Sequence, residues 1–303
     1  MFPVSYIKPL VIKPSMITSS TAVKKLAGEA EWVATTAYVI GQVVTRADLG
    51  GRRFENKIAG TNANKPEDDR DRWYDLGLTD QNTMFDGKDG RQSIAPNALT
   101  VVLRPGAHNA MFLAGLDGIA LDIVWKEYPG GPEYQRYSGT LEDTQPDDYY
   151  DYYFSPYSPQ TDFLITDLTP YASCEVTVTI SNPGSVARCA IASIGDLTAV
   201  GGPALSGVSV DVSGSARVTA DDRGMASVVA GKLACDLTAQ AIVPSDMARG
   251  VVRSVRAVQN VPCPWLITDQ RLREELRSFG LGAVKLTYTS NRITASIDVQ
   301  GTI

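Results

Sequence analysis

The chain has 303 residues, enough for two or three domains with ample core. Its 28 Lys and Arg against 34 Asp and Glu give a formal charge of −6, so it lacks the basic excess that releases counterions from a nucleic-acid backbone. No apolar run approaches a membrane span, and Met1-Phe2-Pro3-Val4 lacks the basic stretch and apolar run of a secretion signal. The expected product is therefore soluble in the cytoplasm of the cell that makes it.

Residues 1–30 read as an extended arm. Pro3, Pro9 and Pro14 oppose a helix, and Ser15 to Thr21 is polar. Such an arm stays loose or lies on a neighbouring subunit; a short helix near Ala22 to Ala30 is only weakly encoded. Residues 31–79 read as a small β module. Trp32, Tyr38, Gly41, Val43, Phe54, Pro66 and Trp73 follow one another in an order that resembles the chitin-binding type 3 module of carbohydrate-binding families 5 and 12. That resemblance implies sugar stacking on exposed aromatic rings. The place of the family's aromatic pair reads Asn56-Lys57-Ile58, which offers no flat π-face, so Trp73 and Tyr74 are the remaining glycan-binding candidates here. The alternative is that Trp32, Tyr38 and Trp73 form the core of the module.

Residues 80–197 read as an antiparallel β-sandwich or jelly roll. Leu99 to Leu103 is a strand stopped by Pro105-Gly106. Cys174, Val176, Val178 and Ile180 alternate with Glu175, Thr177 and Thr179, which predicts a half-buried strand. Asn182-Pro183-Gly184-Ser185 reads as a hairpin turn and Arg188 to Ile194 as the returning strand. That register sets Cys189 opposite Val178 and argues against a Cys174–Cys189 disulfide. Phe112 to Leu116, Ile119 to Trp125 and Asp162 to Asp167 supply further strands, with no helices between them. Cys174, Cys189, Cys235 and Cys263 show no C-x-x-C spacing and read as small buried residues. Asp86 and Asp89 sit in a tight turn, because Lys88 takes the place of a third oxygen ligand for calcium.

Residues 126–161 hold eight of the thirteen tyrosines, interleaved with Glu133, Glu142, Asp143, Asp147, Asp148 and Asp151. Three readings stand. Tyr149 and Tyr150 belong to a saccharide-binding surface, to a subunit interface, or to a tyrosine-rich strand edge in which Tyr150, Tyr152 and Phe154 alternate with Asp151, Tyr153 and Ser155. Acids are plentiful, but none has the apolar setting that raises the pKa of a glycosidase acid. The single histidine, His108, stands in a loop with no nucleophile elbow, and no phosphate-cradling glycine motif is present. Catalytic residues, cofactors and metals are not expected.

Residues 198–303 read as a C-terminal β unit. Val208 to Val212, Ala216 to Thr219 and Met225 to Thr238 are β, with Asp221-Asp222-Arg223-Gly224 as a turn. Pro244 to Val258 reads as a helix capped by Ser245, with Met247, Val251, Val255 and Val258 inward and Arg249, Arg253 and Arg256 outward. Cys263 to Ile267 is an edge strand bearing prolines. Asp269 to Phe279 is either a short helix ended by Gly280 or a loop. Val284 to Tyr288 and Ile293 to Val299 close as a hairpin over Ser290-Asn291.

Short motifs spread over nearly the whole chain resemble those of tailed-phage and prophage tail proteins. They are Pro14-Ser15-Met16-Ile17-Thr18-Ser19-Ser20, Trp73-Tyr74-Asp75-Leu76-Gly77, Met84-Phe85-Asp86-Gly87, Thr166-Asp167-Leu168-Thr169-Pro170-Tyr171-Ala172 and Ile297-Asp298-Val299-Gln300-Gly301. The resemblance implies a non-enzymatic virion component at a tail tip or baseplate, assembled in threefold or sixfold copies with other tail proteins. A host-surface glycan is a further implied partner. The competing expectation is a dedicated adhesin for cell-surface polysaccharide.

Overall fold

Cys174, Val176, Val178 and Ile180 are all buried, as their alternation predicts; the last three belong to a long strand, Glu175–Cys189, and Cys174 directly precedes it. The computed structural model describes residues 2–22, 29–61, 63–88, 90–142, 149–154, 159–205, 207–214, 217–220, 226–229, 233–268, 276–290 and 292–302. The chain is mainly β. Glu175–Cys189 is the middle strand of a five-stranded antiparallel sheet. Ala120–Lys126 and then Glu133–Thr140 lie to one side of it; Ser93–Leu103 and then Ile17–Ser20 lie to the other. The inward face carries Leu99, Val101, Leu121, Ile123, Trp125 and Val178. It packs on Met111, Leu113 and Ile194 of a second sheet, which makes a β-sandwich.

The second sheet has nine strands, ordered Asp162–Ile165, Ala110–Ala114, Ile191–Pro203, Pro3–Pro9, Cys263–Leu266, Arg277–Tyr288, Ile293–Gly301, Leu233–Val243 and Ser209–Gly214. It curls back on itself. An antiparallel bridge joins Ala204 to Ala241, and the Leu205 N–H donates to the Gln240 carbonyl at 2.7 Å. Six strands thus wrap a second core of Val4, Tyr6, Val200, Leu237, Trp265 and Ile297, to which the helix Ala248–Val258 adds Val251 and Val258.

Several expectations are corrected. The 1–30 arm is no arm: Pro3–Pro9 is an interior strand, paired with Ile191–Pro203 on one side and Cys263–Leu266 on the other. Residues 17–20 likewise form the edge strand over Ser93–Leu103. Asn182 to Ser185 is no hairpin turn but a bulge inside Glu175–Cys189, which keeps Ser93–Leu103 as its partner before and after. Gly184 takes φ 79° there and its N–H donates to Asn97 Oδ1 at 3.0 Å, so turn residues serve an irregular strand. Cys189 therefore sits opposite Ser93, not Val178, and the chain changes sheets at Ala190.

The boundary expected at 197/198 falls within Ile191–Pro203, whose first residues pair with Ala110–Ala114 and whose later ones pair with Pro3–Pro9. Cys263–Leu266 is interior rather than an edge. The pairing with Pro3–Pro9 covers only Trp265 and Leu266, so the missing N–H of Pro264 breaks no bond on that side. The C-terminal helix starts at Ala248 after a turn closed by Met247 N–H on the Pro244 carbonyl; Ser245 does not cap it, and Met247 is 44% exposed. Gly280 ends no helix, because the strand Arg277–Tyr288 runs through it; the rest of that reading, 269–275, lies outside the described residues. So do residues 23–28 of the short helix read near Ala22 to Ala30, whose last residue instead opens the strand Ala30–Glu31, and the turn at 221–224, Asp89 and Asn291. Ile293–Gly301 pairs with Arg277–Tyr288 as the closing hairpin. All four cysteines are free.

Candidate functional site

Residues 30–78 contain a four-stranded sheet of Ala30–Glu31, Val43–Arg46, Arg52–Asn56 and Trp73–Leu78, with Ala37–Tyr38 paired to Gly60–Thr61. Its core is Tyr38, Val44, Phe54 and Trp73, with Trp32 and Leu49 packed against them. Trp73 is 2% exposed, and its ring meets Tyr38 edge to face at 5.4 Å. Trp73 offers no ring to a sugar; it is a core residue, as the competing reading of the aromatics holds. The Tyr38 hydroxyl locks the entry to this core, accepting from the Val33 N–H at 2.7 Å and donating to the Val33 carbonyl at 3.1 Å.

Tyr74 follows Trp73 on the same strand, so it points to the opposite face. It is 58% exposed, but the Lys57 ammonium sits 4.1 Å above its ring and occupies one of its two π-faces. The Asn56 side chain is buried and donates to the Val39 carbonyl at 3.0 Å, a structural role. On the other side of the module the Arg46 guanidinium lies 5.1 Å from the Trp32 ring and pairs with Asp48 and Glu67. The hydrogen bond from Arg46 holds the Asp48 carboxyl below the usual carboxylate range. A cavity of about 200 Å³ is lined by Leu49, Arg52, Pro66, Glu67, Trp73 and Asp75, and one of about 430 Å³ lies where Glu31, Thr45 and Gly50 face Pro14, Ile17 and Asn82.

The tyrosines of the insertion divide into two sets. Tyr134 and Tyr137, on Glu133–Thr140, turn into the sandwich: Tyr134 packs on Tyr171 at 4.7 Å and Tyr137 on Phe163 at 4.4 Å. The Tyr134 hydroxyl lies 3.5 Å from Cys174 Sγ, and burial raises its pKa. Tyr149 and Tyr150 stand instead on a short helix, Tyr149–Phe154, which overturns the strand-edge reading among the three. A helical backbone sets Tyr149 and Tyr153 one turn apart, so their rings meet at 5.1 Å. Tyr149, Tyr150 and Tyr153 are 79, 68 and 61% exposed. The side chains of Asp151 and Tyr152, together with Asp143, Asp147, Asp148 and Tyr157, lie outside the description. Thus Tyr149 and Tyr150 share one exposed element, while Trp73 and Tyr74 share a strand but not a face.

His108 is buried. Its Nδ1–H donates to the Gly106 carbonyl at 2.8 Å, and burial lowers its pKa, which keeps the ring neutral. Among the described residues no three His, Cys, Asp or Glu side chains are grouped so as to hold a metal, and no helix is long and apolar enough to cross a membrane.

One feature escaped the sequence reading. A groove of about 810 Å³ runs between the helix Ala248–Val258 and the strands Leu233–Val243, Arg277–Tyr288 and Ile293–Gly301. Its only signal in the sequence is the outward row of Arg249, Arg253 and Arg256. No family model matches the chain, and neither a curated protein nor a solved structure does.

Proposed function

We propose that the chain is a structural component of a phage tail tip or baseplate. It makes protein–protein contacts in the virion as one of several symmetric copies, threefold or sixfold. The observation that carries this reading over a sugar-binding one is the distribution of aromatic surface. The module that resembles a chitin binder keeps Tyr38 and Trp73 inside and exposes Tyr74 with one face under Lys57, while the exposed rings Tyr149, Tyr150 and Tyr153 stand on a helix outside it. Exposed tyrosine clusters of this kind suit macromolecular interfaces. The resemblance of the motifs named above to those of tail proteins supports the location. The test is antibody labelling of intact virions and purified tails: label at the tail end is expected, and label confined to unassembled fractions overturns the reading.

Host-surface glycan attachment is a second role, favoured by the exposure of Tyr74, Tyr149 and Tyr150. Purified chain is screened against host polysaccharide and chitin oligomers beside Tyr74→Ala and a Tyr149→Ala/Tyr150→Ala double variant. Binding by wild type that either folded variant loses supports attachment. Absence of binding by wild type leaves assembly as the sole role.

A further inference from the structure

The cavity of about 430 Å³ joins parts of the chain that are far apart in sequence. Pro14 and Ile17 come from the N-terminal segment, Glu31, Thr45 and Ala47 from the small module, and Gln81 and Asn82 from the residues that lead into the sandwich. Its size falls in the range of about 300–1,000 Å³ usual for small-molecule sites, which form preferentially at such junctions. The polar part of the lining is held in place. Asn82 is 8% exposed; its amide donates to the Gly50 carbonyl, and its Oδ1 accepts no hydrogen bond among the described residues. Gly50 takes φ 74°, and a Cβ there would lie 3.0 Å from Pro14 Cγ, so only glycine permits this close seam. Thr45 is buried and its hydroxyl donates to Glu29 at 3.2 Å. Gln81 is half-buried, and its side chain makes no hydrogen bond among the described residues. Glu31 accepts from the Ala47 N–H at 2.9 Å through Oε1, and its Oε2 accepts no hydrogen bond among them.

This lining selects a ligand by its chemistry. Among the described residues no Lys, Arg or His lines the cavity, and nearby Arg46 is taken up by Asp48 and Glu67, so an anion finds no partner. One carboxylate is too little charge for a divalent cation, which takes six or more oxygen ligands. A wholly apolar ligand would leave the Gln81 and Asn82 amides without water or a partner. A sugar satisfies both parts of the lining, because its hydroxyls donate and accept while its C–H face is apolar. We propose that the cavity binds a neutral, hydroxyl-rich small molecule, a saccharide unit. Its hydroxyls donate to Glu31 Oε2 and Asn82 Oδ1 and accept from the Gln81 amide, and its C–H face lies on Pro14, Ile17 and Ala47. The site shares no residue with Tyr74, Tyr149 and Tyr150, and so stands apart from attachment through exposed rings. The sugar is either free in solution or the end of a polysaccharide chain.

Saturation-transfer NMR on the full chain tests this with glucose, galactose, mannose, rhamnose and N-acetylglucosamine. At least one is expected to bind with a Kd of about 1 mM or below, and inorganic phosphate is expected not to bind. Glu31→Ala/Gln81→Ala removes polar partners, and Ala47→Phe fills the cavity. Each is expected to weaken the sugar at least about tenfold, while Tyr74→Ala and Tyr149→Ala/Tyr150→Ala leave it unchanged. Circular dichroism verifies that the variants are folded. In isotope-labelled wild type the side-chain amide signals of Gln81 and Asn82 are expected to shift on titration with the sugar, a readout that needs no variant. No binding by any of the five sugars, phosphate bound in their place, amide signals that stay put, or binding that survives in folded cavity variants each overturns the proposal. Host polysaccharide added to the sugar complex separates the two sources: displacement identifies a chain end, and its absence a free sugar, each of them bound at this cavity. The assay contains no virion, so its failure leaves the tail-location test untouched, and polysaccharide binding lost only in the tyrosine variants supports ring-mediated attachment and overturns the cavity as its site.

Discussion

The indole of Trp265 fills the space that a side chain on Gly282 would need: a Cβ at position 282 would come within 2.1 Å of two indole carbons. Trp265 is buried in the second core, with the Tyr6 ring 5.0 Å away, so it has little room to retreat. Gly282→Ala is expected to destabilise the protein by about 1–3 kcal/mol through overpacking. Adding Trp265→Leu, which makes room at position 282, is expected to reduce the extra cost of the Ala. Denaturant unfolding of the single and double variants measures the coupling, and additive effects would sink the argument.

Trp73 and Tyr74 are neighbours in sequence with opposite expected phenotypes. Trp73→Ala empties the core of the small module and is expected to cost about 3–5 kcal/mol. Tyr74→Ala touches a solvent face and is expected to stay within about 0.5 kcal/mol of wild type. Thermal unfolding separates the two. A stable Trp73→Ala protein would contradict the buried position described here.

Burial pushes the thiols of Cys189 and Cys263 up to about 12 and raises that of Cys174. Thiolate is the reactive form, so these three are expected to resist an aromatic disulfide reagent near pH 8, while half-buried Cys235 reacts first. Titration of the native protein should release one thiol quickly, against four after denaturation. Rapid release of two or more from native protein would contradict this.

His108 is held neutral by burial, with its folded pKa below the unfolded value of about 6.5. Above that value both states are neutral and His108 adds no pH dependence. As pH falls below it, the unfolded chain takes up a proton that the folded chain resists, and stability drops until the folded pKa is passed. His108→Gln is expected to flatten the part of the stability profile that falls between about pH 6.5 and the folded pKa. Urea midpoints measured across that range would show an unchanged slope if the ring were already charged.

What the sequence reveals follows from how each strand is buried. Glu175–Cys189 and Ile293–Gly301 each leave polar residues on one face, and their period of two is readable. Val4, Ser5, Tyr6 and Ile7 are buried on both faces, so no alternation marks them, and the flanking prolines pass for an arm. Asn182 to Ser185 has the composition of a hairpin turn, yet the same residues serve a bulge when a long partner strand continues past them. Trp73 and Tyr74 divide by strand parity, which was available in advance. The groove depends on three strands and a helix meeting across long separations, which no local pattern encodes.

The interior position of Pro3–Pro9 also sets an order of events during synthesis. This strand leaves the ribosome well before its partners, which are Gly195 to Pro203 and then Trp265 and Leu266. The curled sheet therefore closes only after translation has passed those residues, and closure over such separations is slow. Throughout that interval the nascent chain carries an apolar strand with both hydrogen-bonding edges open, so chaperone occupancy and growth temperature are expected to govern its yield more than the stability of the finished fold does.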